Sequence, residues 1–343
     1  MTTRFNVRKK VLGNLKPVRL AANSAEPVSR SRGTEVPPPE TIEPIVIDTR
    51  MRGESEIMAA HLLPGKRPAL IDPGPANTAG NVIKGLREVG IQRLDSIVLT
   101  HVHCENAGAA GEIARHFPEA TVYVHESVTG YLVNPERLAD SARAIWGEDA
   151  EKWFGRSVAV ETTRLRPLRD GDSVDLGDRR LEAIASPGHT GAHMVFFDRQ
   201  TGAMVCGDAL GLQLPGSRTI RPSTPPSDFC HDEAVASIEK LRGFDPASLH
   251  FAHYGESRQS PGETFDRAIT AMTAWRTSFL KKSEVTENGE ELLRSVNACV
   301  EATLEPVPPS VRRRFEVANP TWVNIAGMSG DLDRKQSRLA DAA

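Results

Sequence analysis

The chain has only four cysteines, Cys104, Cys206, Cys230 and Cys299, and no two of them form a CxxC pair. That spacing excludes a disulfide framework or a paired-thiolate zinc site and fits a reducing compartment, so a cytoplasmic location is expected. Long apolar runs are also missing. No stretch reaches the roughly 18 residues needed to span a bilayer, and the N-terminal leader lacks a signal-peptide core, so no membrane partner is expected. There is no excess of either charge: 42 Lys and Arg against 45 Asp and Glu leave a formal net charge of −3. Nucleic acid is therefore not an expected partner. Aromatic residues are 5% of the chain, and no solenoid-type repeat is present. What remains is a 343-residue chain that is 39% hydrophobic, long enough to bury a full core.

Three regions can be distinguished. Residues 1–42 form a basic arm: positions 1–34 hold eight Lys or Arg against the single acid Glu26, and Pro37-Pro38-Pro39 ends the run. Such a segment reads as a solvated, disordered extension. Residues 43–257 alternate strand-like and helix-like segments. Strands are predicted at 44–49, 55–63, 68–72, 94–99 and 121–124, with more between 158 and 208 and a last one at 248–253. Helices are predicted at 79–89, 107–116, across 127–155 and at 230–241; residues 211–228, rich in Pro, Ser and Gly, read as a long loop. Residues 258–343 are predicted to be mainly helical, with a Pro break at 306–309. Such helices can cover the rest of the fold or a second subunit, which leaves an oligomer open. Two strand-rich blocks flanked by helices point to two packed sheets covered by helices.

The ten histidines are the informative residues. His101 and His103 directly follow the apolar segment Leu94–Leu99, and residues two apart on an extended chain point the same way. Two imidazoles aimed at one point suit Zn²⁺ or Fe²⁺. Three further segments repeat this placement: His189 in the turn after Leu181–Ala185, Asp208 after Ala203–Cys206, and His253 after Leu249–Phe251. Glu105 and Asn106 follow the first pair at once. Potential ligands just beyond strand ends, four times over, indicate a metal site.

The run Thr100-His101-Val102-His103-Cys104-Glu105-Asn106-Ala107-Gly108 resembles the THxHxDHxG motif of the metallo-β-lactamase superfamily. Asp72-Pro73-Gly74, Ser186-Pro187-Gly188-His189, Gly207-Asp208 and His253 resemble the family's remaining motifs in order and approximate spacing. The resemblance implies an α+β fold, an αββα sandwich of two mixed β-sheets flanked by helices. It implies that His101, His103 and His189 bind a first metal, that Asp208 bridges to a second, and that His253 helps bind that second ion. His193 and His125 match positions that are structural in relatives. The departure is Glu105-Asn106 where the family has Asp-His. Asn offers a neutral amide oxygen in place of an imidazole, and Glu is one methylene longer than Asp. One firmly held ion is therefore expected, Zn²⁺ with Fe²⁺ as the alternative, and a second site that is weak or absent, its remaining metal ligands being Asp208, His253 and Glu105.

These residues support a metal-dependent hydrolase of a small ester, thioester or lactone. It would use a metal-activated water, with Glu105 as general base and Asp208 as the other catalytic carboxylate. Trp146, Trp153 and Phe154 from the helical insert are expected to wall the pocket. Leu212, Leu214, Arg218 and Arg221 are expected to join them from the long loop and suit an acyl chain or a carboxylate; the equal alternative is that the aromatics pack the insert onto the sandwich and both arginines are solvated. The competing readings are a non-catalytic or regulatory binding protein on an altered metal site, and a mononuclear iron oxygenase.

Overall fold

The computed structural model describes residues 41–341, apart from 227, 287 and 304. The basic arm thus lies almost wholly outside the described residues. Twelve strands are found among them, in two sheets. The first runs β1 (Ile45–Asp48), β2 (Ala59–Leu63), β3 (Ala69–Ile71), β4 (Ser96–Val98), β5 (Thr121–His125) and β6 (Leu165–Leu168) in sequential order. Its first two pairings are antiparallel and its last three parallel. The second runs β12 (Gly255–Glu256), β11 (Ser248–Phe251), β10 (Ala203–Gly207), β9 (Met194–Asp198), β8 (Arg180–Ala185) and β7 (Ser173–Asp175). All its pairings are antiparallel except β10 with β11.

Side-chain alternation along the strands separates four layers. Val98, Met194, Phe196, Val205 and Ala183 share a buried cluster between the sheets. Their neighbours Ile97 and Leu99 face outward under the helices α1 (Ala79–Glu88) and α3 (Ala110–His116). Ile184, Val195, Phe197 and Met204 pack outward under α7 (His231–Arg242) and α8 (Pro261–Ser283). This is the expected αββα sandwich, buried on both faces of each sheet, which is why the strands read as apolar runs.

Two expected elements differ. Residues 55–58 lie outside the ladder, because there the main chain turns to the site, where the Ile57 carbonyl accepts from His253. The helix expected at 107–116 is two pieces. α2 (Cys104–Ala107) begins immediately after His103, whose carbonyl accepts from the amides of Asn106 and Ala107, and α3 follows. The insert forms α4 (Thr129–Val133), α5 (Glu136–Trp146) and α6 (Ala150–Phe154). The C-terminal region forms α9 (Gly289–Thr303), α10 (Pro309–Ala318) and α11 (Thr321–Asp341) after α8. These helices pack on the sandwich itself: Met272, Trp275, Phe279, Val296, Ile325 and Met328 join Phe229 and Ala234 in one buried cluster.

One polar pair lies on the facing sides of the two sheets. His61 of β2 and His250 of β11 stand edge to face with centroids 5.8 Å apart. Neither His61 nitrogen has a hydrogen-bond partner, and burial lowers its pKa to about 3. An unfolded histidine titrates near 6.5, so this group costs no stability above that pH. Its cost appears as pH falls from 6.5 toward 3, because only the unfolded chain takes up the proton. His61→Leu should flatten the decline in unfolding free energy below pH 6 by up to about 1.4 kcal/mol per pH unit. Urea titrations of both proteins from pH 4 to 8 check this; parallel pH curves would rule it out.

Candidate metal centre

The site lies where strand ends of both sheets meet. His101 and His103 follow β4, His189 lies in the turn between β8 and β9, Asp208 follows β10, and His253 follows β11. Two glycines permit this approach. A side chain on Gly188, at φ +133°, would come 2.3 Å from the Ala234 main chain at the start of α7. One on Gly207, at φ +52°, would come 2.7 Å from both Thr100 Oγ1 and His193 Nε2. The glycines of the Ser-Pro-Gly-His and Gly-Asp segments are thus needed for close packing.

His103 Nδ1 stands 3.0 Å from His101 Nε2 and 3.1 Å from His189 Nε2. The three nitrogens form a group able to hold a metal ion. Hydrogen bonds behind the rings fix which nitrogens face inward. His101 Nδ1 is 2.9 Å from Thr100 Oγ1. The Thr100 hydroxyl donates to Asp72 Oδ2 at 2.6 Å and the Thr100 amide donates to Asp72 Oδ1 at 2.9 Å. With its one proton given to Asp72, the hydroxyl accepts from His101 Nδ1 and leaves Nε2 a bare lone pair. His189 Nδ1 donates to the Ser223 carbonyl at 3.0 Å, and His253 Nδ1 to that of Ile57 at 2.7 Å. Burial, reinforced by the neighbouring imidazoles, holds the pKa of His101 and His189 well below the ordinary range. Their convergent lone pairs need a cation.

Asp208 lies between the two halves of the site, with Oδ2 3.5 Å from His189 Nε2 and Oδ1 3.9 Å from His253 Nε2. Ser223 Oγ donates to Oδ2 at 3.3 Å, whereas Oδ1 is buried with no partner. The donor set therefore fits a divalent ion: three convergent imidazoles and an adjacent carboxylate oxygen lacking a partner.

Glu105 and Asn106 diverge. Asn106 is fully buried; its amide donates to Asp72 Oδ2 at 3.2 Å, and its Oδ1 has no partner. Burial raises the Asp72 pKa to about 6 against the opposing pull of the three hydrogen bonds from Thr100 and Asn106. Glu105 is half-buried at the first turn of α2 and makes no hydrogen bond or ion pair with any described residue. Other residues are structural. His193 accepts from the Asp208 amide at 3.1 Å and binds Ser186 Oγ at 2.8 Å. His125 Nδ1 is held by Ser127. The Cys104 thiol faces the Leu138 carbonyl at 3.7 Å, and burial pushes its pKa up to about 12.

The surroundings hold what the sequence reading missed. Asn319, between α10 and α11, donates to Ser223 Oγ at 3.2 Å, so the C-terminal region braces the residue that holds both His189 and Asp208. Trp322 of α11 packs edge-on against Trp146 with centroids 5.4 Å apart. The loop arginines named as pocket groups are taken up elsewhere: Arg218 pairs with Glu263, and Arg221 with Glu316 at 2.7 Å and the Asn319 carbonyl at 2.9 Å. Arg52 lies beside the aromatic insert instead, its guanidinium 4.1 Å from the Trp153 ring centroid. A lone arginine between strands carries no pattern that would have singled it out.

Comparison with known proteins agrees with this fold. The model of the metallo-beta-lactamase superfamily matches residues 59–253. The metallo-beta-lactamase fold-containing protein ST1585 of Sulfurisphaera tokodaii is 26% identical over 205 residues, covering 58% of this chain and 74% of that protein. Its crystal structure superposes with a TM-score of 0.56 over 76% of this chain and 97% of that one, at 23% identity. The probable metallo-hydrolase YflN of Bacillus subtilis is 30% identical over 199 residues, covering 54% of this chain and 74% of that protein. A hydroxyacylglutathione hydrolase of Gloeothece citriformis is 29% identical over 191 residues, covering 54% of this chain and 58% of that enzyme.

The bonds behind the rings make a direct prediction. Thr100→Val preserves shape but removes the hydroxyl that links Asp72 to His101. Zinc affinity should drop roughly 10- to 100-fold, read by competition with a chromogenic chelator. Unchanged affinity would show that the hydroxyl does not orient the ligand.

Proposed function

The chain belongs to the metallo-beta-lactamase superfamily, and on that premise we propose that it is a metal-dependent hydrolase of a small ester, thioester or lactone with one firmly held ion. The observation that carries this reading is the convergence of the His101, His103 and His189 nitrogens, His103 Nδ1 lying 3.0 Å and 3.1 Å from the other two, with His101 and His189 held in the tautomer suited to a ligand. The relative described as a probable metallo-hydrolase supports hydrolysis, and the one described as a hydroxyacylglutathione hydrolase supports an acyl bond as its target.

His101, His103 and His189 would hold the ion, with Asp208 alongside. A divalent ion there would supply Lewis acidity, bringing the pKa of a water down to near neutral and polarising a carbonyl oxygen. The protein's own part is proton handling and orientation. Glu105 makes no hydrogen bond or ion pair with any described residue, so its carboxylate is free to take the proton of the attacking water and return it to the leaving group. Asp208 keeps Oδ1 available as an acceptor that orients the same water. A position holding Asp208 and His253, with Asn106 bonded to Asp72, has few ligands for a second ion. Zinc is the expected metal, a small acyl compound the substrate, and the cytoplasm the place of action; no helix of the described residues is long and apolar enough to cross a membrane.

Metal analysis of anaerobically purified protein tests this first: one equivalent of zinc per chain is expected. Two tightly held equivalents would overturn the single-ion reading, iron alone would favour the oxygenase, and no metal would leave a binding protein. Glu105→Gln should retain the metal yet lower kcat on generic acyl esters by about 10²- to 10⁴-fold. An unchanged kcat would remove Glu105 from the mechanism.

A further inference from the structure

Arg52 sits where a side chain with one open hydrogen-bonding edge would bind a ligand. It lies in the loop between β1 and β2, five residues before Ile57, whose carbonyl holds His253. Its guanidinium is enclosed by aromatic rings, 4.1 Å from the Trp153 centroid, 5.2 Å from Trp146 and 5.5 Å from Phe154. Nη1 donates to the Val317 carbonyl at 2.9 Å. Nε and Nη2 are buried and have no partner. Those two nitrogens share one side of the guanidinium plane, and their parallel N–H bonds match the two oxygens of a carboxylate.

Leaving two donors of a buried cation unpaired is costly, and no acid of the described chain comes within ion-pair distance. Burial lowers the Arg52 pKa to about 10, while Glu105 and Asp149 act from farther off to oppose this. Glu105, whose charge acts on Arg52, is two residues after His103. The neighbours of Arg52 agree: Phe154, Cys104, Ala252 and Val317 form one buried cluster with Trp146 and Trp153 packed against it. Cys104 and Ala252 are the chain neighbours of His103 and His253. Both tryptophans are half-buried, so this aromatic cover is in part reached by solvent.

We propose that Arg52 is the specificity residue for a carboxylate on the substrate's acyl part, its Nε–Nη2 edge binding both oxygens while Trp146 and Trp153 cover the adjoining methylenes. The identity of the ligand as a substrate rests on the hydrolase reading above; the anion site itself does not. With Arg218 and Arg221 paired to glutamates, Arg52 takes the role expected of a basic pocket group.

The test separates the two. The p-nitrophenyl monoester of adipic acid and p-nitrophenyl hexanoate differ only in the distal carboxylate. Wild type should favour the adipate ester in kcat/KM, and Arg52→Met should cut that preference roughly 10- to 100-fold; an identical preference in the two proteins overturns the proposal. A second readout needs no turnover. In metal-free protein, hexanoate but not hexanamide should quench tryptophan fluorescence, and Arg52→Met should weaken that binding at least 10-fold. Equal quenching in both proteins overturns the proposal even if both esters are cleaved. If neither ester is cleaved, the hydrolase reading fails and the hexanoate titration alone decides Arg52. Should Arg52→Met fail to fold, Arg52→Lys takes both tests, because a point ammonium cannot make the two parallel bonds and should show the same losses to a smaller degree.

Discussion

The site depends on hydrogen bonds behind the imidazoles rather than on the imidazoles alone. A histidine can offer either nitrogen, and an unheld ring swings about two torsions. Here Thr100 and Asp72 hold His101, the Ser223 carbonyl holds His189 and the Ile57 carbonyl holds His253. Those partners come from the β3 end, the long loop after β10 and the segment before β2, so the geometry of the centre requires the whole sandwich to be closed. The arrangement also sets charge. Burial keeps the His101 and His189 rings neutral and their lone pairs ready, while the Asp72 carboxylate, ringed by three donors, sits one residue removed behind His101.

Much of this was legible in the sequence because buried strands announce themselves and the ligands stand directly at their ends. The apolar run through Leu99 makes His101 and His103 strand-end residues, and the same logic found His189, Asp208 and His253. The two-sheet layering was legible for the same reason. What was not legible depends on contacts between residues far apart in the chain. Arg52 reaches the Val317 carbonyl across 265 positions, and Asn319 reaches Ser223 across 96. No local period encodes such pairs. Arg218 and Arg221 were expected in the pocket because loop arginines near a site look available, and only the folded chain shows Glu263 and Glu316 beside them.

The C-terminal helices accordingly belong to the chemistry of the site as well as to its cover. α10 clasps the loop between β1 and β2: Arg314 donates to the Ser55 and Glu56 carbonyls, at 3.2 Å and 2.5 Å, and Val317 accepts from Arg52. That same loop carries Ile57 to His253. One helix thus positions both the aromatic-boxed arginine and, through the loop, a histidine of the metal centre, coupling the site's specificity side to its metal side.

Asn106 can be understood in that setting. At this position an imidazole would add a ligand toward a second ion. The amide instead gives a proton to Asp72, whose buried carboxylate already serves Thr100 and, through it, His101. The exchange weakens the position shared by Asp208 and His253 while reinforcing the support behind the three-histidine group. A carboxylate-reading arginine beside the aromatic insert then supplies substrate orientation that a second cation would otherwise provide, because a guanidinium fork and a metal ion are alternative ways of holding an anionic oxygen in place. On this view the Glu105-Asn106 departure and the open edge of Arg52 are two parts of one design: a single ion for the reacting carbonyl, and a fixed protein cation for the far end of the substrate.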